Sequence, residues 1–91
     1  RQMTIDAAQI RREILAQVRQ RGLHKTICPS EVARSLSPHH WRDLMPQVRD
    51  VGISLAEAAL IHVTQRGQIV DPKTAKGPIR YRVTQKGLKA L

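Results

Sequence analysis

Apolar side chains recur at every fourth position near the start of the chain, at Ile10, Ile14 and Val18. This period is typical of one face of an amphipathic helix, which we predict over about residues 5–21. Thr4 is the expected N-cap, because its hydroxyl can accept a hydrogen bond from the first turn. Gly22 stands where a left-handed residue commonly closes a helix.

A second helix is predicted to begin at Pro29 and to end near Leu36. Proline suits the first turn of a helix, because the backbone N–H that it lacks would have no intrahelical acceptor there. The preceding residues 25–28 are β-prone and predict a short strand that leads into this helix.

A third helix follows closely, because Ser37 and Pro38 repeat the pattern of a capping hydroxyl and a proline. Its inward face continues to about Ala59 at spacings of three and four, through Trp41, Leu44, Val48, Val51 and Leu55. Pro46 fits only the first turn of a helix, so residues 38–41 are predicted to form a separate turn. The two closely spaced helices indicate a helix-turn-helix unit.

From Leu60 onward the apolar period changes to two, which predicts a strand with Ile61 and Val63 on one side. A turn is expected at residues 65–67, and proline and glycine pairs predict an irregular loop over residues 71–78. Alternation then resumes in a further strand that points inward at Ile79, Tyr81 and Val83. A last short helix is predicted from Thr84 to Leu91.

This order of helices and strands is that of a winged helix, an α+β fold in which the long loop forms the wing. We predict one domain over residues 4–91, which is a normal size for a single small core. Residues 1–3 are expected to be disordered or foreign to the native chain, with Met3 as its start.

Aromatic residues are scarce: Phe is absent, and there is one Trp and one Tyr. Trp41 and Tyr81 share the inward spacing of the aliphatic residues, so both are interpreted as core residues rather than base-stacking groups, with Trp41 as the main core anchor. A core built mainly from aliphatic side chains leaves little room for a deep cofactor cavity.

Residues that could support catalysis are few. Cys28 has no matched histidine and acid motif, so we interpret it as a buried structural thiol. The four histidines lack the spacing of zinc ligands: His24, His39, His40 and His62. No glycine-rich phosphate loop, nucleophile elbow or carboxylate pair is present. We therefore expect no enzyme activity, cofactor, metal or small-molecule substrate.

We expect the protein to be located in the cytoplasm. One cysteine cannot form an internal disulfide, and no secretory leader precedes the first polar helix. The longest central apolar stretch, residues 55–63, is interrupted by Glu57 and His62 and is far shorter than the roughly 18 to 20 residues of a membrane span. No membrane association is predicted.

The formal charge of +9 is concentrated in the two ends of the chain. Residues 1–25 carry +4 and residues 66–91 carry +6, whereas residues 26–65 carry −1. An extended basic hairpin suits a row of phosphates, so the candidate nucleic-acid-binding residues of the wing are Arg66, Lys73, Lys76, Arg80 and Arg82. The alternative is a basic surface that serves solubility.

The third helix adds weaker candidates. His39, Arg42 and Arg49 form one exposed column in helical projection and could contact bases or phosphates. The adjacent column is acidic and would repel phosphates, at Asp43, Asp50 and Glu57. The alternative interpretation is a solvated face whose charges are balanced elsewhere in the fold.

Several stretches resemble a bacterial family of short proteins known only as a domain of unknown function. They are KTICPSEVAR (25–34), WRDLMPQVR (41–49), VTQRGQIVDP (63–72) and GPIR (77–80). The resemblance covers about residues 10–83; it implies a winged-helix-like fold and no particular activity. Residues 81–91 separately resemble the last wing strand and following helix of winged-helix transcription regulators, which suggests DNA only by analogy of fold.

The favoured hypothesis is a DNA-binding winged helix, a candidate transcriptional regulator. The first alternative is a protein-interaction or homodimerisation module, suggested by the near-neutral middle of the chain and by Ile53, which helical projection leaves exposed opposite the core. The second alternative is a binder of structured RNA, because basic ends do not distinguish the two kinds of duplex.

Overall fold

A computed structural model describes residues 4–90, so the expectations for residues 1–3 and for Leu91 lie outside the described residues. Its elements are α1 (Ala7–Arg21), α2 (Pro29–Leu36), α3 (Trp41–Glu57), β1 (Ile61–Gln65), β2 (Gln68–Ile69), β3 (Arg80–Val83) and α4 (Gln85–Lys89). The strands form one antiparallel sheet in the order β2-β1-β3. The predicted α+β class is confirmed, and the arrangement is compatible with a winged helix.

The first helix begins two residues later than the sequence suggested. Its N-cap is Asp6 rather than Thr4: the Asp6 carboxylate accepts a hydrogen bond from the Gln9 N–H at 2.9 Å. The Gln9 side chain in turn accepts from the Asp6 N–H at 3.0 Å. This reciprocal pair satisfies two backbone donors, which a single threonine cap at position 4 would not do. Gly22 closes the helix as expected, with a φ of 84°.

α2 begins at Pro29 as predicted, whereas α3 begins only at Trp41, with His40 as its N-cap; Ser37 is the C-cap of α2 and does not cap α3. A separate turn over residues 38–40 precedes α3, as expected. Pro46, however, is the sixth residue of α3 and lies beyond its first turn. The carbonyl that loses its intrahelical donor is that of Arg42, and both residues are exposed, so water can bind that carbonyl.

The strand predicted at residues 25–28 is reduced to one antiparallel bridge between Ile27 and Tyr81. Each residue donates its backbone N–H to the carbonyl of the other at 2.8 Å. β3 is therefore flanked by β1 on one side and by Ile27 on the other. This bridge brings the segment after α1 against the C-terminal part of the sheet.

A two-residue turn joins β1 to β2. Its residues, Arg66 and Gly67, both have positive φ angles, 51° and 79°, and this pair is typical of a type I′ hairpin turn. The chain then leaves β2 as the predicted irregular loop and returns at β3, on the other side of β1. We call residues 70–79 the wing loop.

The core is aliphatic apart from Tyr81, the largest fully buried side chain. The ring of Tyr81 lies directly against Gly52 of α3, where an added Cβ would meet the Tyr81 Cζ at 2.7 Å. Trp41 is only half-buried at the edge of the core, so the expectation that it is the main anchor is wrong. Ile53 is also half-buried rather than exposed, because β2 and the wing loop pack beside it.

None of the helices that the structure describes between residues 4 and 90 is long and apolar enough to cross a membrane.

Candidate nucleic-acid interface

The predicted candidates on α3 lie at its N-terminal end and along its side. Arg42 stacks on the ring of Trp41, with its guanidinium carbon 4.4 Å from the ring centre. Arg34 of α2 lies 4.2 Å from the same centre. Both cations therefore have an aromatic partner within the fold. His39 is exposed in the turn that precedes α3, and Arg49 is half-buried farther along the helix.

The wing candidates on β3 share one side of the sheet. Because side chains alternate along a strand, Arg80 and Arg82 point away from the core while Tyr81 and Val83 point into it. Their cross-strand neighbours on β1 are Thr64 and His62. Thr64 is buried on this side, whereas Arg80, Arg82 and His62 are at least partly exposed. We call this side the outer face of the sheet.

Three wing candidates from separate segments meet around one open groove of about 750 Å³. They are Arg66 of the hairpin turn, Lys76 of the wing loop and Arg80 of β3. We call this the cationic groove. The Gln65 side chain holds one wall in place, because its amide donates to the carbonyls of Lys76 at 2.6 Å and Pro78 at 3.1 Å.

The fifth wing candidate is directed elsewhere. The Lys73 ammonium nitrogen lies 2.6 Å from a carboxylate oxygen of Glu57 at the end of α3. The hydrogen bond to Glu57 and the charge of this carboxylate raise the pKa of Lys73 above its ordinary value. This is the one salt bridge among residues 4–90. The structure thus separates Lys73 from the groove that holds the other loop lysine.

A cation from the other basic end of the chain joins this surface. Arg21, the last residue of α1, donates through Nε and Nη2 to the carbonyl oxygen of Thr26, at 3.3 and 3.2 Å. Arg80 donates to the same oxygen at 3.4 Å and to the Thr26 hydroxyl at 2.6 Å. We call Arg21 and Arg80 the Thr26 arginine pair. Sequence reasoning missed Arg21, and the only signal was the +4 charge of residues 1–25.

The acidic column of α3 stays separate from these cations. Asp43, Asp50 and Glu57 are exposed along the helix, and only Glu57 is within salt-bridge distance of a described cation. α3 rises about 1.5 Å per residue, so Arg42 is roughly 22 Å along the axis from Glu57. None of the helix candidates is among the residues that line the cationic groove.

A comparison with protein families finds a match over residues 7–84 to the family described as "Protein of unknown function (DUF3253)". The match covers most of the chain. The chain belongs to the DUF3253 family. The suspected resemblance to a family of unknown function is therefore confirmed. No curated protein matches the sequence.

Cys28 of this DUF3253 member lies on the wall of the cationic groove. The thiol is partly exposed, so the expectation of a fully buried cysteine is wrong. Its sulfur accepts a hydrogen bond from the Ser30 hydroxyl at 3.1 Å. Within residues 4–90, no three histidine, cysteine or acidic side chains cluster as metal ligands would.

This DUF3253 member also buries a polar atom beneath the sheet. The Tyr81 hydroxyl is inaccessible to solvent and has no hydrogen-bond partner in the described part of the chain. Burial raises the pKa of Tyr81 to about 12, which outweighs the opposing effect of the nearby Arg49 charge. Tyr81 is therefore a neutral phenol at physiological pH. The charges that this surface offers to a ligand therefore belong to guanidinium and ammonium groups.

Proposed function

We propose that this chain binds nucleic acid, with duplex DNA as the favoured partner, through the cationic groove and the outer face of the sheet. The observation that carries the proposal is the convergence of Arg66, Lys76 and Arg80 from three segments, with no carboxylate of residues 4–90 within salt-bridge distance of any of them. Gathering like charges is unfavourable in the free protein, and a polyanion offsets this repulsion when it binds.

The shape of the site also suits a nucleic-acid backbone. The groove is open, and its cations come from a turn, a loop and a strand, so they can follow a row of phosphates. Arg82 extends the same face along β3. We assign Lys73 a minor role, because Glu57 already neutralises it. His39, Arg42 and Arg49 are proposed as secondary contacts of α3, subject to the acidic column beside them.

The decisive test is a salt titration of duplex DNA binding by fluorescence anisotropy. The test variant is Arg66→Gln with Lys76→Gln, and the matched control is Arg11→Gln with Arg12→Gln, which removes the same charge from exposed positions of α1. If each groove cation contacts one phosphate, the slope of log K against log salt should become shallower by about 1.8 in the test variant. Equal slopes for test, control and wild type would contradict the proposal.

The type of nucleic acid is decided by competition at fixed salt between duplex DNA and a hairpin RNA of equal charge. Preferential retention of DNA supports the favoured partner, and preferential retention of RNA replaces it with structured RNA. A role in transcription requires in addition that one duplex sequence be bound more tightly than others. We propose that this nucleic-acid binding takes place in the cytoplasm.

A second candidate function is self-association through the edge of the sheet. β2 is an edge strand, and its Ile69 is 59% exposed beside the half-buried Ile53. An edge strand with an apolar side chain is suited to pairing with another chain. Size-exclusion chromatography with light scattering on wild type and Ile69→Glu tests this function. A wild-type dimer that the substitution dissociates supports it, and a monomer in both excludes it.

A further inference from the structure

We infer that Arg21, Thr26 and Arg80 form a site for one phosphodiester group of the nucleic-acid backbone. The inference rests on the proposed function and deepens it, because it adds to the interface a cation from the opposite end of the chain. It also assigns a distinct ligand, a single tetrahedral phosphate, to a position beside the cationic groove.

The geometry of the Thr26 arginine pair leaves donors free for such a ligand. Arg21 and Arg80 both bind Thr26 through Nε and Nη2. A guanidinium carries five N–H donors in a planar fork, so Nη1 and the second hydrogen of Nη2 remain available on each side chain. The two Nη2 atoms share one acceptor oxygen, at 3.2 and 3.4 Å, which holds the forks close enough to contact one phosphate together.

The charges around the pair favour an anion. Lys25 precedes Thr26 and is exposed, and Arg82 lies opposite Thr26 across the antiparallel Ile27–Tyr81 bridge. Two acidic side chains, Glu13 and Glu31, line the groove that Arg21 and Lys25 also line, and neither is within salt-bridge distance of a described cation. The groups that donate to them are neutral: Glu13 accepts from Gln17 and Ser35, and Glu31 accepts from the Cys28 N–H. The four cations around Thr26 outnumber these two carboxylates.

A backbone in the cationic groove would reach this site directly. Arg80 lines the groove and also belongs to the Thr26 arginine pair, so the two features are continuous. Two guanidinium groups held on one neutral carbonyl repel each other, and a phosphate between them replaces that repulsion with charge-assisted hydrogen bonds. The hydroxyl of Thr26 fixes the orientation of Arg80 and thus acts as a positioning group.

The first experiment uses the wild-type chain and model anions. The side-chain Nε–Hε NMR signals of Arg21 and Arg80 are followed during titration with dimethyl phosphate or inorganic phosphate at constant ionic strength. Saturable shifts of both signals with dimethyl phosphate, and smaller shifts at Arg12, are expected. Absence of saturable shifts overturns the site. Shifts with inorganic phosphate alone overturn the phosphodiester assignment in favour of a free phosphate ion.

The second experiment measures duplex DNA binding of Arg21→Gln against the matched control Arg12→Gln. The control loses the same charge from the same helix, but nine residues correspond to two and a half turns, so Arg12 lies on the opposite side of α1. We expect Arg21→Gln to weaken binding roughly tenfold and to flatten the salt slope by about 0.9. Arg21→Lys should recover the slope but only part of the affinity, because it restores the charge without the fork.

The two proposals fail in different ways. If Arg21→Gln behaves like Arg12→Gln while the Arg66 and Lys76 variant shows the expected shallower salt slope, the phosphodiester site is wrong and nucleic-acid binding stands. If the wild type shows no salt-dependent duplex binding at all, the proposed function itself is wrong. Far-ultraviolet circular dichroism establishes that each variant is folded.

Discussion

The two sides of β3 obey different physical constraints, although their residues alternate along the same four-residue strand. On the inner side, Tyr81 and Val83 are fully buried, and each approaches a glycine so closely that an added methyl group would collide with it. These glycines are Gly52 of α3 and Gly87 of α4. The inner side therefore fixes the distance between the sheet and its helices to within one carbon atom.

On the outer side, nothing in the packing specifies Arg80 and Arg82. Arg80 is exposed, and its contacts with Thr26 could be replaced by water. No described carboxylate lies within salt-bridge distance of either residue. Packing thus explains the residues of the inner side, whereas it does not explain the charge of the outer side, which the proposed function attributes to binding of a nucleic acid.

The largest expected effect is on the inner side. Gly52→Ala places a methyl group against the hydroxyl and Cζ of Tyr81, and the ring is too confined to move away. The gain in helix propensity is smaller than this overpacking, so we expect the free energy of unfolding to fall by about 3 kcal/mol. Urea denaturation measures the change, with exposed Ser54→Ala as the control. A stability equal to wild type would refute close packing on this side.

Tyr81 gives the inner side a pH dependence. Its pKa is about 12 in the folded chain, above the ordinary value near 10. The contribution of the neutral phenol to the free energy of unfolding is therefore fully present below pH 10 and is lost as the pH rises toward 12. Relative to Tyr81→Phe, the wild type should lose about 2 kcal/mol of unfolding free energy between pH 9 and 11.5. Urea melts of both proteins across this range measure the difference. Parallel pH profiles would indicate that the phenol is solvated.

The smallest expected effect is a difference in duplex DNA binding between variants of the two lysines of the wing loop. Lys76→Gln should weaken duplex DNA binding about threefold to tenfold at 0.1 M salt, because it removes one groove cation. Lys73→Gln should change binding less than twofold, since Glu57 already neutralises this lysine. Both variants carry the same net charge, so anisotropy under identical conditions compares position alone. Equal losses would mean that total charge, and not the groove, determines binding.

Local signals in the sequence predicted most of the fold. Pro29 and Gly22 correctly marked helix ends, and the alternation from Ile79 to Val83 correctly predicted which side of β3 is buried. The Ser37-Pro38 pair did not mark the start of α3, because Ser37 caps the end of α2 instead. The errors concern packing between elements. Trp41 has helical core spacing but lies at the edge, beside two arginines, because helical projection does not show where a neighbouring helix ends.

The candidate site was less accessible to sequence reasoning. The charge of the wing was visible, but its division into a groove and a separate Lys73–Glu57 pair depends on the path of the wing loop. The contribution of Arg21 depends on the Ile27–Tyr81 bridge, which joins the two basic ends across most of the chain length. No local pattern encodes a contact at that separation.

Arg66 has a positive φ, a backbone conformation that arginine adopts only rarely. At 51° this position suits asparagine or glycine, and an arginine there strains the turn. Arg66→Asn is thus expected to raise the melting temperature slightly while it weakens duplex binding. Arg66 thus combines a strained backbone conformation with a place in the cationic groove.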